Sequence, residues 1–272
     1  MRKTIFITGT SSGIGKATAH YFLSKGWQVA ATMRKPEKVT DLPESNVLKK
    51  YQLDVQNEEE IQQAIAAAIE DFGKIDVVLN NAGYGVLGPM EYATSAQYDQ
   101  QFDVNVKGVF NVTKHLLPHF RKNKRGRILN VSSMGGRTTF PFFSLYCATK
   151  FAVEGLSESL NYELNEHGID VKLIEPGGVQ TDFTGRSMVW LEGDIQDYEA
   201  SIQKIKHAME NATTREIPST PEAVAKVIYE AATTSSSKMR FVVGRDAKTM
   251  LAMRKLLGVK RTMKIVRGFY KM

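Results

Sequence analysis

Three residues in the middle of the chain have types and spacing suited to moving a proton at a carbon–oxygen bond. Tyr146 and Lys150 stand four residues apart in Ser144-Leu-Tyr-Cys-Ala-Thr-Lys150, a run that reads as helix, so they share one face of it. An ammonium beside a phenol favours the phenolate, which predicts a tyrosine pKa lowered from about 10. A tyrosine poised this way gives or takes a proton near neutral pH. A serine pair, Ser132-Ser133, precedes it at the end of the strand-like run Gly126-Arg-Ile-Leu-Asn-Val131. Taken alone, a tyrosine and a lysine at helical spacing are also what any solvated helix surface contains.

The elements that must hold these residues alternate between strand and helix along the whole chain. Short apolar runs at Ile5–Ile7, Val29–Met33, Val47–Leu53, Val77–Leu79, Gly126–Val131, Val171–Ile174 and Arg240–Val243 predict strands. Amphipathic segments lie between them. Glu58–Phe72 carries Ile61, Ile65, Ala68 and Phe72 on one side, and residues 95–121 read as a helix interrupted near Asn105. The helix of Tyr146 extends to about Glu166, with Ala152, Leu156, Leu160 and Leu164 expected to face inward. Continuous apolar strands between amphipathic helices predict an α/β fold, a doubly wound parallel sheet covered on both faces. Neither an internal repeat nor a linker divides the 272 residues, so one domain is expected.

The first strand runs through Thr8-Gly9-Thr10-Ser11-Ser12-Gly13-Ile14-Gly15 directly into a helix. Glycines there let the backbone approach a pyrophosphate, and the helix N-terminus offers N–H groups and a positive dipole end. A carboxylate at the end of the second strand would suit the ribose hydroxyls of NAD. This chain instead has Met33 followed by Arg34 and Lys35. A guanidinium there suits a 2′-phosphate, so NADP(H) is expected over NAD(H). Asp54, closing the third strand, reads either as an acceptor for the adenine amine or as a cap for the following helix.

With these pieces assembled, the chain resembles the classical short-chain dehydrogenase/reductases over about residues 3–185. The resemblance rests on Thr8-Gly9-x-x-x-Gly13-x-Gly15, Asn80-Asn81-Ala82-Gly83, Asn105, Ser133, Tyr146-x-x-x-Lys150 and Pro176-Gly177 in this order. It implies a seven-stranded parallel sheet and hydride transfer between a nicotinamide and a carbonyl or alcohol. By that likeness Tyr146 is the general acid/base, and Lys150 lowers its pKa and binds the nicotinamide ribose. Ser133, thirteen residues before the tyrosine, holds the substrate oxygen. Asn105 kinks its helix and anchors a water that relays protons to Lys150. The same resemblance assigns cofactor contacts to Gly9, Ser11, Ser12, Gly13, Ile14, Gly15, Arg34, Asp54 and Val55. It adds Asn81, Ala82 and Gly83 as the floor beneath the adenine ribose, and Pro176, Gly177, Val179 and Thr181 at the nicotinamide. The chain departs from the family at Ser12, where many NADP-type members carry a basic residue, and at Gly178, where many have a less flexible one.

Residues 183–215 are expected as a lid over the substrate, with Phe142, Phe183 and Trp190 as its contacts. Their apolar character suits a lipophilic ketone or alcohol, or serves only to pack the lid to the body. Gly-Gly after Ser133, Ala31-Thr-Met-Arg34 and Phe241-Val-Val-Gly-Arg-Asp246 are similar to the hydroxysteroid and retinol dehydrogenase branch. The alternatives are a 3-oxoacyl-thioester reductase and a non-catalytic NADP(H)-binding sensor or scaffold.

Composition bounds what else the chain can be. The single cysteine, Cys147, excludes an internal disulfide and a cysteine-rich metal site. His115 and His119, four apart without a supporting motif, read as surface residues, and no metal is expected. The N-terminus is too short in apolar residues for a secretory signal, so a cytoplasmic setting is expected. The formal charge of +7 is uneven: residues 238–272 hold eleven Lys/Arg against Asp246 alone, leaving −3 for the rest. This basic amphipathic tail, about 247–272, either packs on the domain or touches an anionic membrane surface, the former being expected. No nucleic-acid motif accompanies it. A homodimer or homotetramer is expected from the resemblance.

Overall fold

A computed structural model describes residues 2–42, 44–181, 187–215 and 219–272. The strands of the main sheet are β1 (Thr4–Thr8), β2 (Gln28–Met33), β3 (Leu48–Gln52), β4 (Val77–Asn80), β6 (Gly126–Val131), β7 (Ile169–Pro176) and β9 (Arg240–Val243). They lie in the order β3-β2-β1-β4-β6-β7-β9, all parallel. Each of the seven coincides with a strand expected from the apolar runs. A three-residue pair, β5 (Gly85–Leu87) and β8 (Met188–Trp190), forms a second small parallel sheet. Runs that short carry no periodicity, and neither was expected.

The helices are α1 (Gly13–Ser24), α2 (Glu58–Phe72), α3 (Ser95–Phe102), α4 (Gly108–Lys122), α5 (Ser144–Leu164), α6 (Gln196–Arg215), α7 (Pro221–Thr233) and α8 (Arg245–Phe269). Alternation along β1 shows how the layers form. Ile5 and Ile7 enter the core cluster with Phe22 of α1 and Ile228 of α7, while Phe6 between them enters the opposite cluster with Ile61 of α2 and Leu116 of α4. Helices therefore cover both faces, giving three layers.

Strand order reverses direction between β1 and β4, and the crevice beyond the carboxyl ends of strands at such a point is where ligands bind in open α/β sheets. The motif residues follow that rule. Gly9 succeeds β1, Asn81 succeeds β4, Ser133 succeeds β6 and Gly177 succeeds β7.

Three expectations are corrected. On α5 Leu164 is buried and Leu156 and Leu160, partly buried, pack against the core as expected, but the buried positions also include the polar residues Thr149, Lys150, Glu154 and Ser157. The inner face of this helix is therefore mixed, with polar groups beside the apolar ones. His119 is not a surface residue: Ile75 N donates to its Nε2 at 3.0 Å, and burial pushes its pKa down. Asp54 does not cap α2; Asn57 does, accepting from Glu59 N and Glu60 N, while Asp54 closes a turn with Gln56 N.

The basic tail is helical, with part of it packed on the body and Leu256, Val259, Met263, Ile265 and Phe269 exposed. Ala247 and Leu251 are buried before Gly258 (φ 73°, ψ 175°) breaks the axis, and Thr262 and Val266 are buried after it. Asp246 at its start accepts from Gly178 N at 2.6 Å, joining the tail to the loop after β7. Among the described residues no helix is long and apolar enough to cross a membrane, and no cluster of metal-binding side chains occurs.

Candidate active site

The glycine loop is built for close approach. Gly9 sits at φ 72°, and a methyl group on Gly15 would collide with the Gly9 carbonyl, so both positions require glycine. Ser12 occupies the N-cap position of α1 in an extended conformation, without a side-chain cap and with no acid in the first turn. That leaves the helix end electropositive. Thr8 and Asn81 brace the loop. Thr8 Oγ1 accepts from Asn81 N and Ala82 N at 2.9 and 3.0 Å, and Asn81 Nδ2 donates to the Thr8 and Gly9 carbonyls at 2.9 and 3.0 Å. This cradle fits a dinucleotide phosphate, with Ser11, Ser12, Gly13 and Ile14 at its rim.

Along the adenosine side, Arg34 is exposed just past β2, and the carboxylate of Asp54 stands past β3. Val55 is buried and presses on Gly108 at the start of α4. At the other end, Gly177 N is bonded to Val243 O at 2.9 Å and Val179 is bridged to Ser219. The Thr181 methyl would lie 3.4 Å from a Cβ on Gly13, so the loop after β7 reaches across to the glycine loop. Phe183 lies outside the described residues.

Between these ends sit Asn105, Ser133, Tyr146 and Lys150, the candidate proton-transfer group. Residues Asp103–Lys107 form a π-turn between α3 and α4, a feature frequent at functional sites. It aims buried Asn105 into the cleft. Asn105 Oδ1 accepts from Tyr84 N at 3.0 Å, and its Nδ2 donates to Tyr84 O at 2.8 Å and to Thr149 Oγ1 at 3.1 Å. Gly83 is squeezed between Asn105 and Lys150: a Cβ there would lie 3.1 Å from Asn105 Oδ1 and 3.7 Å from Lys150 Nζ. The helix interruption expected near Asn105 is this turn.

Ser133 faces the Tyr146 phenol across Gly135, and Ser133 Oγ accepts from Gly135 N at 3.0 Å. Lys150 is buried, and its Nζ donates to Val131 O at 3.0 Å. Its ammonium lies 5.7 Å from the centroid of the Tyr146 ring. Here the electrostatics differ from expectation. Burial pushes the Tyr146 phenol up to about 12, and the Ser133 hydroxyl only partly offsets this. Burial also brings Lys150 down to about 8, with the negative charge of Glu154 opposing. The lysine lies over the ring and bonds a carbonyl, which is why it does not lower the phenol as helical spacing alone suggested.

An aromatic wall adjoins the tyrosine. Phe143 meets the Tyr146 ring edge-on at 6.3 Å, Phe142 meets Tyr198 at 6.3 Å, and Tyr198 meets Tyr92 at 5.7 Å. Phe142 holds φ 64°, a strained conformation for a bulky residue, while its carbonyl accepts from Gly88 N at 2.9 Å. Trp190 ends β8 opposite Leu87 and carries Lys206 Nζ over its ring.

Sequence reasoning missed several supports. Gln101 is fully buried, accepting from Val86 N at 2.6 Å and donating to Tyr84 O at 2.8 Å. Thr149, Glu154, Glu175 and Asp246 likewise touch the site from behind. The one sequence signal was helical spacing: Thr149 and Glu154 adjoin Lys150 on its own helix.

A family model described as short chain dehydrogenase matches residues 3–192. The chain belongs to the classical short-chain dehydrogenase/reductase family. It is similar to a 3-ketodihydrosphingosine reductase from Bacteroides thetaiotaomicron, 42% identical over 200 residues and covering 72% of each chain. Among solved structures, a short-chain dehydrogenase from Streptomyces avermitilis superposes with a TM-score of 0.85 at 31% identity, covering 98% of both chains. ElxO with NADP bound gives 0.74 at 28%, covering 89% of this chain and 96% of that one. A 3-ketoacyl-(acyl-carrier-protein) reductase from Brucella melitensis complexed with NADH gives 0.73 at 26%, covering 89% and 98%. The protein is therefore an oxidoreductase of this family, with a Rossmann-type fold that binds a nicotinamide dinucleotide.

Proposed function

We propose that this short-chain dehydrogenase/reductase interconverts a lipophilic ketone and its alcohol with NADP(H), using Tyr146 as the proton donor and acceptor. The observation that carries the reading is the grouping of the Tyr146 phenol with Ser133, both against Gly135, and with buried Lys150, whose Nζ lies 5.7 Å from the phenol ring centroid. When bound, the nicotinamide supplies or accepts the hydride. The chain supplies everything else. Ser133 and Tyr146 hold the substrate oxygen, and the phenol, protonated at neutral pH, gives its proton to that oxygen as the carbonyl is reduced. Lys150 contributes a positive charge close to the ring, and Asn105 fixes the backbone of Tyr84 and the Thr149 hydroxyl on either side of that ammonium.

The cofactor preference rests on Arg34, exposed at the end of β2 with no carboxylate at the β2 terminus. Lipophilic substrates are supported by the aromatic wall of Phe142, Phe143, Tyr92 and Tyr198, and by the long-chain ketone named for the Bacteroides relative. The Brucella neighbour keeps a second reading, reduction of a 3-oxoacyl thioester, in view. Self-association is supported by Phe110 (48% exposed) and Phe151 (39% exposed) on α4 and α5, beside the partly buried Leu156.

The test is NADPH oxidation across long-chain ketones, steroids, retinoids and an acyl thioester, with wild type beside Tyr146→Phe. The variant should keep its fold and lose turnover at least about a hundredfold. Turnover near wild type in Tyr146→Phe removes the tyrosine from its role. NADPH binding without consumption on any carbonyl points to a sensor.

A further inference from the structure

Directly behind Lys150 lies a buried group of charges that the proton transfer does not use. Glu154, one turn further along α5, and Glu175, just before Pro176 on β7, are both buried carboxylates. Arg240, the first residue of β9, joins them. Its Nε donates to Glu154 Oε2 at 3.1 Å and stands 3.0 Å from Glu175 Oε1, and its guanidinium also pairs with Glu158 at the rim. Arg137 Nη1 donates to Glu175 Oε2 at 3.0 Å. Glu154 faces Ser132, whose Oγ lies against the carboxyl without completing a well-aligned hydrogen bond.

The contact with the reacting residues is close. A methyl group on Gly136 would lie 2.6 Å from Ser132 Oγ and 3.0 Å from both Glu154 Cγ and the Lys150 carbonyl. The turn that follows Ser133 is therefore clamped between the serine strand, Glu154 and the Lys150 backbone. Glu154 is also the countercharge that opposes the loss of the Lys150 proton. The groups facing it are Ser132 from β6, Lys150 and Glu158 from α5, Glu175 from β7 and Arg240 from β9, with Arg137 acting through Glu175.

We propose that Glu154 is a positioning residue of the oxidoreductase site: its side chain braces the turn that carries Ser133 and sets a countercharge one turn along α5 from Lys150. This rests on the reading above that Tyr146, Ser133 and Lys150 perform the reaction. Two tiers of charge then serve one site, an inner ammonium beside the phenol and a buried carboxylate behind it that is tied to the last strand. A neutral side chain of like volume at this position keeps the packing and removes only the charge.

The experiment reads Lys150 itself and needs no substrate. Protein carrying 13C-labelled lysine is titrated by NMR, with the Lys150 Cε signal assigned from Lys150→Arg. In Glu154→Gln and in Glu154→Leu the Lys150 midpoint should fall by about one pH unit, the size expected for loss of a nearby opposite charge. In Glu158→Gln, at the exposed rim, it should stay. A midpoint unchanged in folded Glu154→Gln and Glu154→Leu overturns the proposal, whatever the turnover assays give. In those assays the basic limb of the pH–rate profile should move down with the NMR midpoint. A uniform loss of kcat with an unmoved limb assigns Glu154 to packing alone and also overturns it.

Discussion

Asn105 Nδ2 donates to Thr149 Oγ1 at 3.1 Å, so the π-turn between α3 and α4 is bonded to the helix that carries Tyr146 and Lys150. The same side chain holds both the N–H and the carbonyl of Tyr84. One amide thus fixes three pieces of chain around the Lys150 ammonium. Asn105→Ala leaves Tyr84 N without its acceptor, at a cost of about 1–3 kcal/mol, while Tyr84 O keeps its bond from Gln101 and Thr149 Oγ1 keeps its bond to Tyr146 O. Urea denaturation should show the loss, and kcat should fall further than the remaining folded fraction explains. A variant with wild-type kcat in its folded fraction would show that the amide only supports the fold.

Lys150 gives the pH dependence of carbonyl reduction its sign. Its pKa is lowered by burial to about 8, so the ammonium is complete near pH 6 and disappears as pH rises through 8. Tyr146, raised to about 12, stays a protonated donor across that range. The reduction rate should therefore hold to about pH 7 and decline through 8, with one ionisation on the basic limb. Lys150→Arg, whose charge persists, should remove that decline even where it lowers the plateau. A rate that stays flat to pH 10 in the wild type would detach Lys150 from the reaction.

Much of this arrangement could be read from residues alone, and the parts that could not share a cause. The central strands β1, β2, β4, β6 and β7 are largely buried, so they announce themselves as apolar runs, whereas the edge strand β3 carries Lys49, Lys50 and Gln52 and is mostly only partly buried. The glycine loop announces itself by its closely spaced glycines between a strand and a helix. Asn105, Ser133, Tyr146 and Lys150 occupy sequence positions whose spacing maps directly onto one crevice. The inner face of α5 misled because a helix normally turns its apolar side to the core. Here Thr149, Lys150, Glu154 and Ser157 are buried beside Leu145, Val153 and Leu164. Glu154 and Glu175 were silent for the same reason. Their partners Arg137 and Arg240 come from distant loops and strands, and no local pattern marks a long-range ion pair. The phenol's pKa was misjudged because spacing gives the neighbour, while burial and the direction of the Lys150 Nζ set the sign.

The proposed preference for NADP(H) rests on Arg34, which follows β2 where no acid stands. A guanidinium bonded to a 2′-phosphate contributes about 1.5–3 kcal/mol. Arg34→Ser should then weaken NADPH binding by roughly tenfold to a hundredfold and leave NADH binding where it was. Fluorescence titration with both dinucleotides measures this directly. Equal weakening of the two would place Arg34 on the shared phosphates or the adenine and remove the argument for NADP(H).

Glu154 also predicts an unusual pH dependence of stability. Burial is the leading cause that raises its folded pKa to about 7, above the ordinary carboxyl value of about 4.5. Folding therefore favours the protonated form, so this carboxyl contributes most stability below about 4.5, and that contribution is lost as pH rises through 7. A paired carboxylate with a depressed pKa would show the reverse. Glu154→Gln removes the ionisation while keeping the shape. The difference in Tm between Glu154→Gln and wild type should move steadily in the variant's favour from pH 4.5 to pH 7 and then level off. Thermal melts in matched buffers give the curve. A difference that stays constant across that window, or turns against the variant as pH rises, would show that Arg240 compensates the buried charge fully and that folding does not favour the protonated carboxyl.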